Sequence, residues 1–219
     1  MKWKHVSDHA GKLEAWVVLK MSAWAVRGDD GIYIVDTGLS FMAPKLLKEA
    51  EKLGPVKGIL LTHGHLDHVG GLKKLLKKRR LAVYAHEKEI PYAEGRLPYP
   101  GRKKPENIVP AGTLTPLPEE DGELLPIAGL QPVFTPGHTP GHVCYYEPET
   151  RVMITGDLFT SKKGQLNRPI PMFTADMDQA IKSAGMLRDY DIDVISICHG
   201  KDVAEGNEAL AQYRKNMDR

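Results

Sequence analysis

The segment Thr62-His63-Gly64-His65-Leu66-Asp67-His68 stands directly after the apolar run 56–61. In an extended chain residues i and i+2 point the same way, so His63 and His65 can both face one ion. Asp67 and His68 come next, at the start of a predicted helix, and can turn toward a second ion beside the first. A plain strand-to-helix loop rarely gathers three histidines and a carboxylate in six residues, and the segment reads as metal-binding.

Three further segments repeat the layout. The run 131–135 ends in Pro136-Gly137-His138, the run 151–155 in Gly156-Asp157, and the run 194–198 in His199-Gly200. Each candidate ligand follows the C-terminal end of an apolar strand, often beside a glycine that lets backbone come close. If those strands are neighbours, their ends converge on one edge of the fold. The count then gives His63, His65 and His138 around one cation, Asp67, His68 and His199 around another, and Asp157 between them. A carboxylate has two oxygens and can bridge two cations. Nitrogen and oxygen donors without thiolate leave coordination positions open, which marks a catalytic site. Imidazole suits zinc, iron and manganese alike.

Outward from these segments the chain reads as one domain over 1–219, with no linker. Its 219 residues are 42% hydrophobic and 26% charged, which excludes a disordered or fibrous chain. The first 40 residues read as strands: runs at 15–20 and 23–27, then a Gly28-Asp29-Asp30-Gly31 turn into 32–35. A helix begins near Pro44, carries Leu46, Leu47, Ala50 and Leu53 on one face, and stops at Gly54-Pro55. Further helices are predicted at 69–78, at about 176–189 and at the C-terminus, with strands at 81–85 and 143–146. Early hairpins rule out a simple βαβ repeat, and two packed sheets with helices outside fit best. Residues 86–118 hold seven prolines and read as a lid or loop. A second proline-containing loop runs from 158 to 173.

Charge and targeting narrow the partners. Thirty basic and 28 acidic side chains leave a net charge of +2, too balanced to argue for nucleic acid. No apolar run reaches the ~20 residues that span a bilayer, and the N-terminus has no signal-peptide core. A cytoplasmic protein acting on a small molecule is expected, and a homodimer is compatible with the sequence. Cys144 and Cys198 have no metal-knuckle spacing, and strand alternation turns Cys198 away from His199.

His63-Gly64-His65-Leu66-Asp67-His68, Gly137-His138-Thr139-Pro140-Gly141-His142, Thr155-Gly156-Asp157, His199-Gly200 and the early Asp36-Thr37-Gly38 together resemble the metallo-β-lactamase-fold hydrolases. The likeness covers about 30–200, in order. It implies an α+β fold, a four-layer αββα sandwich, with two divalent metal ions, usually zinc, at one edge. It also implies the ligand grouping reached by counting, and a supporting role for Asp36 beside the ligand loop. His142, four residues past His138, reads as a hydrogen-bonded structural histidine.

The implied activity is metal-assisted hydrolysis, in which water bridging two cations ionises near pH ~7 and attacks an ester-like carbonyl. Asp67 is expected to accept a proton as well as bind metal. No GxSxG motif offers a serine nucleophile instead. Members of the family cleave thioesters, lactones, β-lactams and phosphodiesters, and some oxidise persulfides at a single iron, so the fold does not choose. Glyoxalase II-like members carry a helical domain after the last ligand, whereas 20 residues follow His199 here; lactonases often have tyrosine where this chain has Thr160. A thioester or lactone of a small molecule is the expected substrate, with a mononuclear iron dioxygenase and a phosphodiesterase or nuclease as alternatives. Tyr92, Arg96 and Tyr99 of the first loop and Phe159, Arg168, Met172 and Phe173 of the second are expected to wall the pocket.

Overall fold

The computed structural model describes residues 1–217. Seven strands form the first sheet in chain order: β1 (Lys2–His5), β2 (Ala10–Trp16), β3 (Lys20–Gly28), β4 (Gly31–Val35), β5 (Val56–Leu60), β6 (Ala82–Ala85) and β7 (Thr115–Pro116). The first four pair antiparallel and the last three add in parallel. A small hairpin, β8 (Glu119–Glu120) and β9 (Glu123–Leu124), leads to the second sheet. That sheet runs β10 (Gln131–Phe134), β11 (Val143–Glu147), β12 (Val152–Ile154), β15 (Val194–Ser196), β16 (Val203–Ala204), and the hairpin β13 (Thr160–Lys162) with β14 (Gln165–Asn167) lies outside it. β10 and β12 are both antiparallel to β11, and β12 is parallel to β15, so β10, β12 and β15 all point one way.

Strand alternation builds the layers. Trp24, Tyr33, Val35 and Leu60 of the first sheet meet Val143, Tyr145, Val152 and Ile154 of the second in a dry layer between the sheets. Their neighbours Ala23, Ala25, Ile32, Ile34 and Ile59 face the opposite side, against the helices α1 (Ala43–Leu53) and α3 (Leu72–Lys78). On the far side Cys144, Met153, Ile195 and Ile197 pack with Ala184 of α5 (Met177–Ala184) and with Leu210 and Tyr213 of α6 (Gly206–Met217). The order helix, sheet, sheet, helix is the expected four-layer sandwich. Buried hydrogen bonds cross between the sheets: Trp24 Nε1 donates to Ser196 Oγ at 2.8 Å, and Tyr145 Oη to the Leu61 carbonyl at 2.9 Å. The second pins the strand end from which the ligand segment departs. Among the described residues no helix is long and apolar enough to cross a membrane.

Helix signals read well. Pro44 lies in the first turn of α1 and Gly54 ends it, and Asp176 caps α5 by accepting from the Gln179 amide at 2.9 Å. Three features differ from the sequence reading. The run 15–20 is not one strand: β2 ends at Trp16, residues 17–19 turn, and β3 starts at Lys20. The side chains of 16–19 are apolar without being core, as Trp16 is 77% and Val18 83% exposed. The helix expected at 69–78 is two, α2 (Leu66–Val69) and α3, broken at Gly70-Gly71. A Cβ on Gly71 would stand 2.5 Å from the Thr37 carbonyl, so glycine is required where the 36–38 turn passes. The segment 86–118 is not structureless: it holds α4 (Ile90–Ala93) and β7, and it buries Tyr99, Val109 and Leu114.

Candidate metal centre

The ends of β5, β10, β12 and β15 deliver their next residues to one edge of the sandwich. Beyond β5 the chain stays extended to His65 and then turns into α2, which swings Asp67 and His68 beside His63 and His65. His63 Nε2 and His138 Nε2 each lie 3.1 Å from His65 Nδ1, so three ring nitrogens meet at one point. A second cluster joins Asp67, His68 and His199: His199 Nε2 is 3.2 Å and His68 Nε2 3.6 Å from Asp67 Oδ2. Asp157 reaches both. Its Oδ2 is 3.4 Å from His138 Nε2 and 3.2 Å from His199 Nε2, while its Oδ1 is 3.3 Å from His68 Nε2. All seven residues singled out as ligands are therefore brought together. Cys198 was expected to face away, yet its Sγ lies within 4.8 Å of ligand atoms of Asp67, His68 and His199. β15 stops at Ser196, so alternation no longer governs the two residues before the histidine.

Surrounding groups fix each ring. Asp36, buried at φ 55°, accepts from the Thr62 amide at 2.8 Å and the Thr62 hydroxyl at 2.7 Å, and its Oδ2 is 2.7 Å from His68 Nδ1. That bond leaves His68 Nε2 to face the cluster. His199 Nδ1 donates to the Lys20 carbonyl at 2.6 Å and His138 Nδ1 lies 3.2 Å from Thr174 Oγ1, with the same result. His142 contributes from behind: its Nδ1 is 2.9 Å from Thr135 Oγ1, and its Nε2 accepts the Asp157 amide at 3.3 Å.

Glu89 escaped the sequence reading. Its buried carboxylate accepts four hydrogen bonds, at Oε1 from the Gly64 amide (2.8 Å) and Tyr99 Oη (2.6 Å), and at Oε2 from Thr139 Oγ1 (2.7 Å) and the Gly141 amide (2.9 Å). One side chain thus ties the His63–His65 loop to the His138 loop. A Cβ on Gly64 would collide with the Tyr99 hydroxyl and Ala93, so the clamp closes only over glycine. The signal available in sequence was a lone glutamate before a helix, with partners 10 to 52 residues distant.

Burial holds His63 and His138 well below the usual imidazole range and brings His65 to about 4. These rings are neutral, with lone pairs to offer. His68 and His199 go the other way. Burial opposes the charge, but the potential of Cys198 and Asp157 outweighs it, with Asp36 and Asp67 also acting on His68 and Asp67 on His199; His199 is pushed up to about 12. Protons collect there because the pocket demands positive charge. Among the described residues, His68 Nε2 and Asp157 Oδ1 are buried without a hydrogen-bond partner. Unpartnered buried ligand atoms of this kind, beside the neutral rings of His63, His65 and His138, fit divalent cations.

A family model described as the metallo-beta-lactamase superfamily matches residues 18–199. The chain belongs to that superfamily. It is 36% identical over 210 residues to the probable metallo-hydrolase YybB of Bacillus subtilis (strain 168), covering 96% of this chain and 94% of that one. The hydroxyacylglutathione hydrolase GloC of Haemophilus influenzae (strain ATCC 51907 / DSM 11121 / KW20 / Rd) is 31% identical over 140 residues, 62% of this chain and 65% of the other. Among solved structures, TTHA1623 in a di-iron-bound form superposes with a TM-score of 0.68 at 27% identity, covering 90% of this chain and 96% of that chain. The protein is a metal-dependent hydrolase of the metallo-beta-lactamase superfamily.

A cleft of about 830 Å³ opens onto the ligands, with His65, Asp67, Asp157 and His199 in its floor. Of the residues expected to wall it, Met172 and Phe173 do so. Tyr99 lies beneath, bonded to Glu89 and edge-on to His65 at 4.8 Å between ring centres. Tyr92 stacks on Tyr99, Arg96 pairs with Glu94, and Arg168 is exposed beyond β14. Phe159 is fully buried in the outer core against Tyr213. The remaining wall comes from the N-terminal hairpin (Val18, Leu19, Met21), from Leu39 and Leu66, and from 102 and 106–108.

Proposed function

We propose that this superfamily member hydrolyses an ester-like carbonyl, a thioester or lactone, in a small cytoplasmic molecule. The observation that carries the reading is the seven-residue cluster with its orphaned His68 Nε2 and Asp157 Oδ1 in the floor of an open cleft. His63, His65 and His138 would hold one divalent ion, Asp67, His68 and His199 a second, and Asp157 would touch both. Zinc suits this donor set best, with iron and manganese as alternatives. Bound there, the ions would supply Lewis acidity and a water that ionises near neutral pH.

The chain's own residues supply the remainder. Asp36, Lys20 and Thr174 aim ring nitrogens inward, and Glu89 sets the spacing between the two ligand loops. Asp67, the ligand most open to the cleft, is placed to take the proton that water loses. Water's oxygen joins the acyl carbon, the C–S or C–O bond breaks, a carboxylate forms, and the leaving sulfur or oxygen takes a proton that Asp67 can return. A relative named as a hydroxyacylglutathione hydrolase supports the thioester arm.

The test is acid and thiol release by metal-replete protein on thioesters and lactones, beside the Asp157→Ala variant. Cleavage lost in the variant, with metal content reduced by elemental analysis, is the expected result. Unchanged activity in the variant would overturn the two-ion arrangement. Silence on both carbonyl classes would overturn the substrate reading and move phosphodiesters and iron-dependent oxygenation forward.

A further inference from the structure

One wall of the cleft is unusual for a protein surface. At the tip of the β2–β3 hairpin Trp16, Val17, Val18 and Leu19 are consecutive and exposed, 77%, 49%, 83% and 37% respectively, and of these Val18 and Leu19 line the cleft. Met172, 85% exposed, and Phe173, 43% exposed, line the same cleft. Scattered exposed apolar residues need no explanation, but two apolar ridges lining one cavity do. The guanidinium that lines the cleft, Arg102, is paired with Glu106 and lies over the Tyr99 ring at 5.6 Å. It is therefore already neutralised and offers little to a carboxylate or phosphate on a ligand.

The hairpin is also tied to the ligands. Lys20, its first residue after the turn, accepts the His199 ring proton at its carbonyl, and its Nζ donates to the Gly200 carbonyl at 2.7 Å and to Glu14 at 2.7 Å. The apolar ridge is thus anchored to the second ligand cluster and cannot drift away from it as an independent surface. Continuity with the floor of His65, Asp67, Asp157 and His199 identifies the occupant as a substrate, with its reacting end at the ligands and its body between the ridges.

We propose that the cleft selects substrates whose acyl group is apolar and uncharged, a straight aliphatic chain of several carbons or an aromatic ring of similar size. This deepens the hydrolase reading of the same site and rests on it. A polar, charged acyl donor would leave both ridges in water and meet no unpaired cation on the lining residues described.

Zinc-loaded protein titrated calorimetrically with straight-chain carboxylates from acetate to decanoate tests the selection without needing turnover. Each methylene removed from water contributes about two- to fourfold in affinity. The dissociation constant is expected to fall by that factor per carbon through at least hexanoate. Val18→Ser and Phe173→Ser should each flatten the series, whereas Val18→Leu should retain it. A flat series in the unaltered protein overturns the proposal. So does a dimer in sedimentation whose dissociation alone restores carboxylate binding, since the ridges would then belong to a second copy. A thioester panel separates this from the broader reading. Turnover with no chain-length preference removes the apolar selection alone. A steep binding series with no turnover of thioesters or lactones removes the hydrolase reading alone.

Discussion

The floor of the cleft and its walls are built on opposite principles. In the floor His68, His138 and His199 are each oriented by a hydrogen-bond partner, and Glu89 alone accepts four hydrogen bonds, from the two ligand loops and from Tyr99. In the walls, Val18, Met172 and Phe173 stand in solvent with apolar atoms as their main offering. Hydrogen bonds fix geometry to a few tenths of an ångström and tolerate little substitution, whereas apolar contact scales with area and tolerates much. Chemistry resides in the first region and selection in the second.

The sharpest way to break this contrast is in the floor. Asp157→Ala removes the carboxylate shared by both clusters, and activity should fall by at least about 100-fold, with metal content falling too. Glu89→Ala comes next. It strands the Tyr99 and Thr139 hydroxyls and two amides, and it should cost roughly 3–5 kcal/mol, read as a lower midpoint in chemical denaturation. Metal affinity, read by competition with a chromophoric chelator, should weaken about 10–100-fold. An unchanged affinity would show that the two loops hold their spacing without the clamp.

Glu14 provides a smaller, pH-dependent effect away from the ligands. Burial pushes its carboxyl up, but hydrogen bonds from Lys20 and Lys4 and the charge of Lys12 outweigh it and bring it from 4.5 to about 2. A depressed folded-state value contributes stability that is present above pH 4.5 and lost as pH falls toward 2. Glu14→Gln should therefore cost about 1–2 kcal/mol at pH 6, after allowance for solvent screening, and much less at pH 2.5. Denaturation midpoints of both proteins across that range measure the difference. The smallest effect belongs to the wall: Val18→Ser, at an exposed tip, should move stability by no more than about 0.5 kcal/mol in thermal unfolding. A larger loss would mean that the ridge is part of the core and not a surface offered to ligand.

How much of this was legible follows the same division. The ligands declared themselves because each is local: a histidine or aspartate just past an apolar strand, with spacing that requires no knowledge of the rest. The layers were legible for the same reason, since short apolar runs such as 23–27, 32–35 and 143–146, bounded by turn residues, are a short-range pattern. Glu89 was not, because its meaning lies in Gly64, Tyr99, Thr139 and Gly141, and nothing near it in sequence names them. The hairpin tip misled for a physical reason. An apolar run such as Trp16-Val17-Val18-Leu19 looks the same whether it is buried by the protein or left bare, and periodicity cannot separate the two. Phe159 carried the opposite ambiguity: an aromatic next to a ligand loop that the fold spends on its core.

The His199 anchor has a further consequence for how such a protein can change over generations. Its acceptor is the main-chain carbonyl of Lys20, and every amino acid carries a main-chain carbonyl. No point mutation at position 20 can erase it. Residues 16–19 can therefore be rewritten freely, their bulk and shape altered from one lineage to another, without disturbing the ring beside them. Diversification of what the protein accepts is thereby uncoupled from the preservation of what it does.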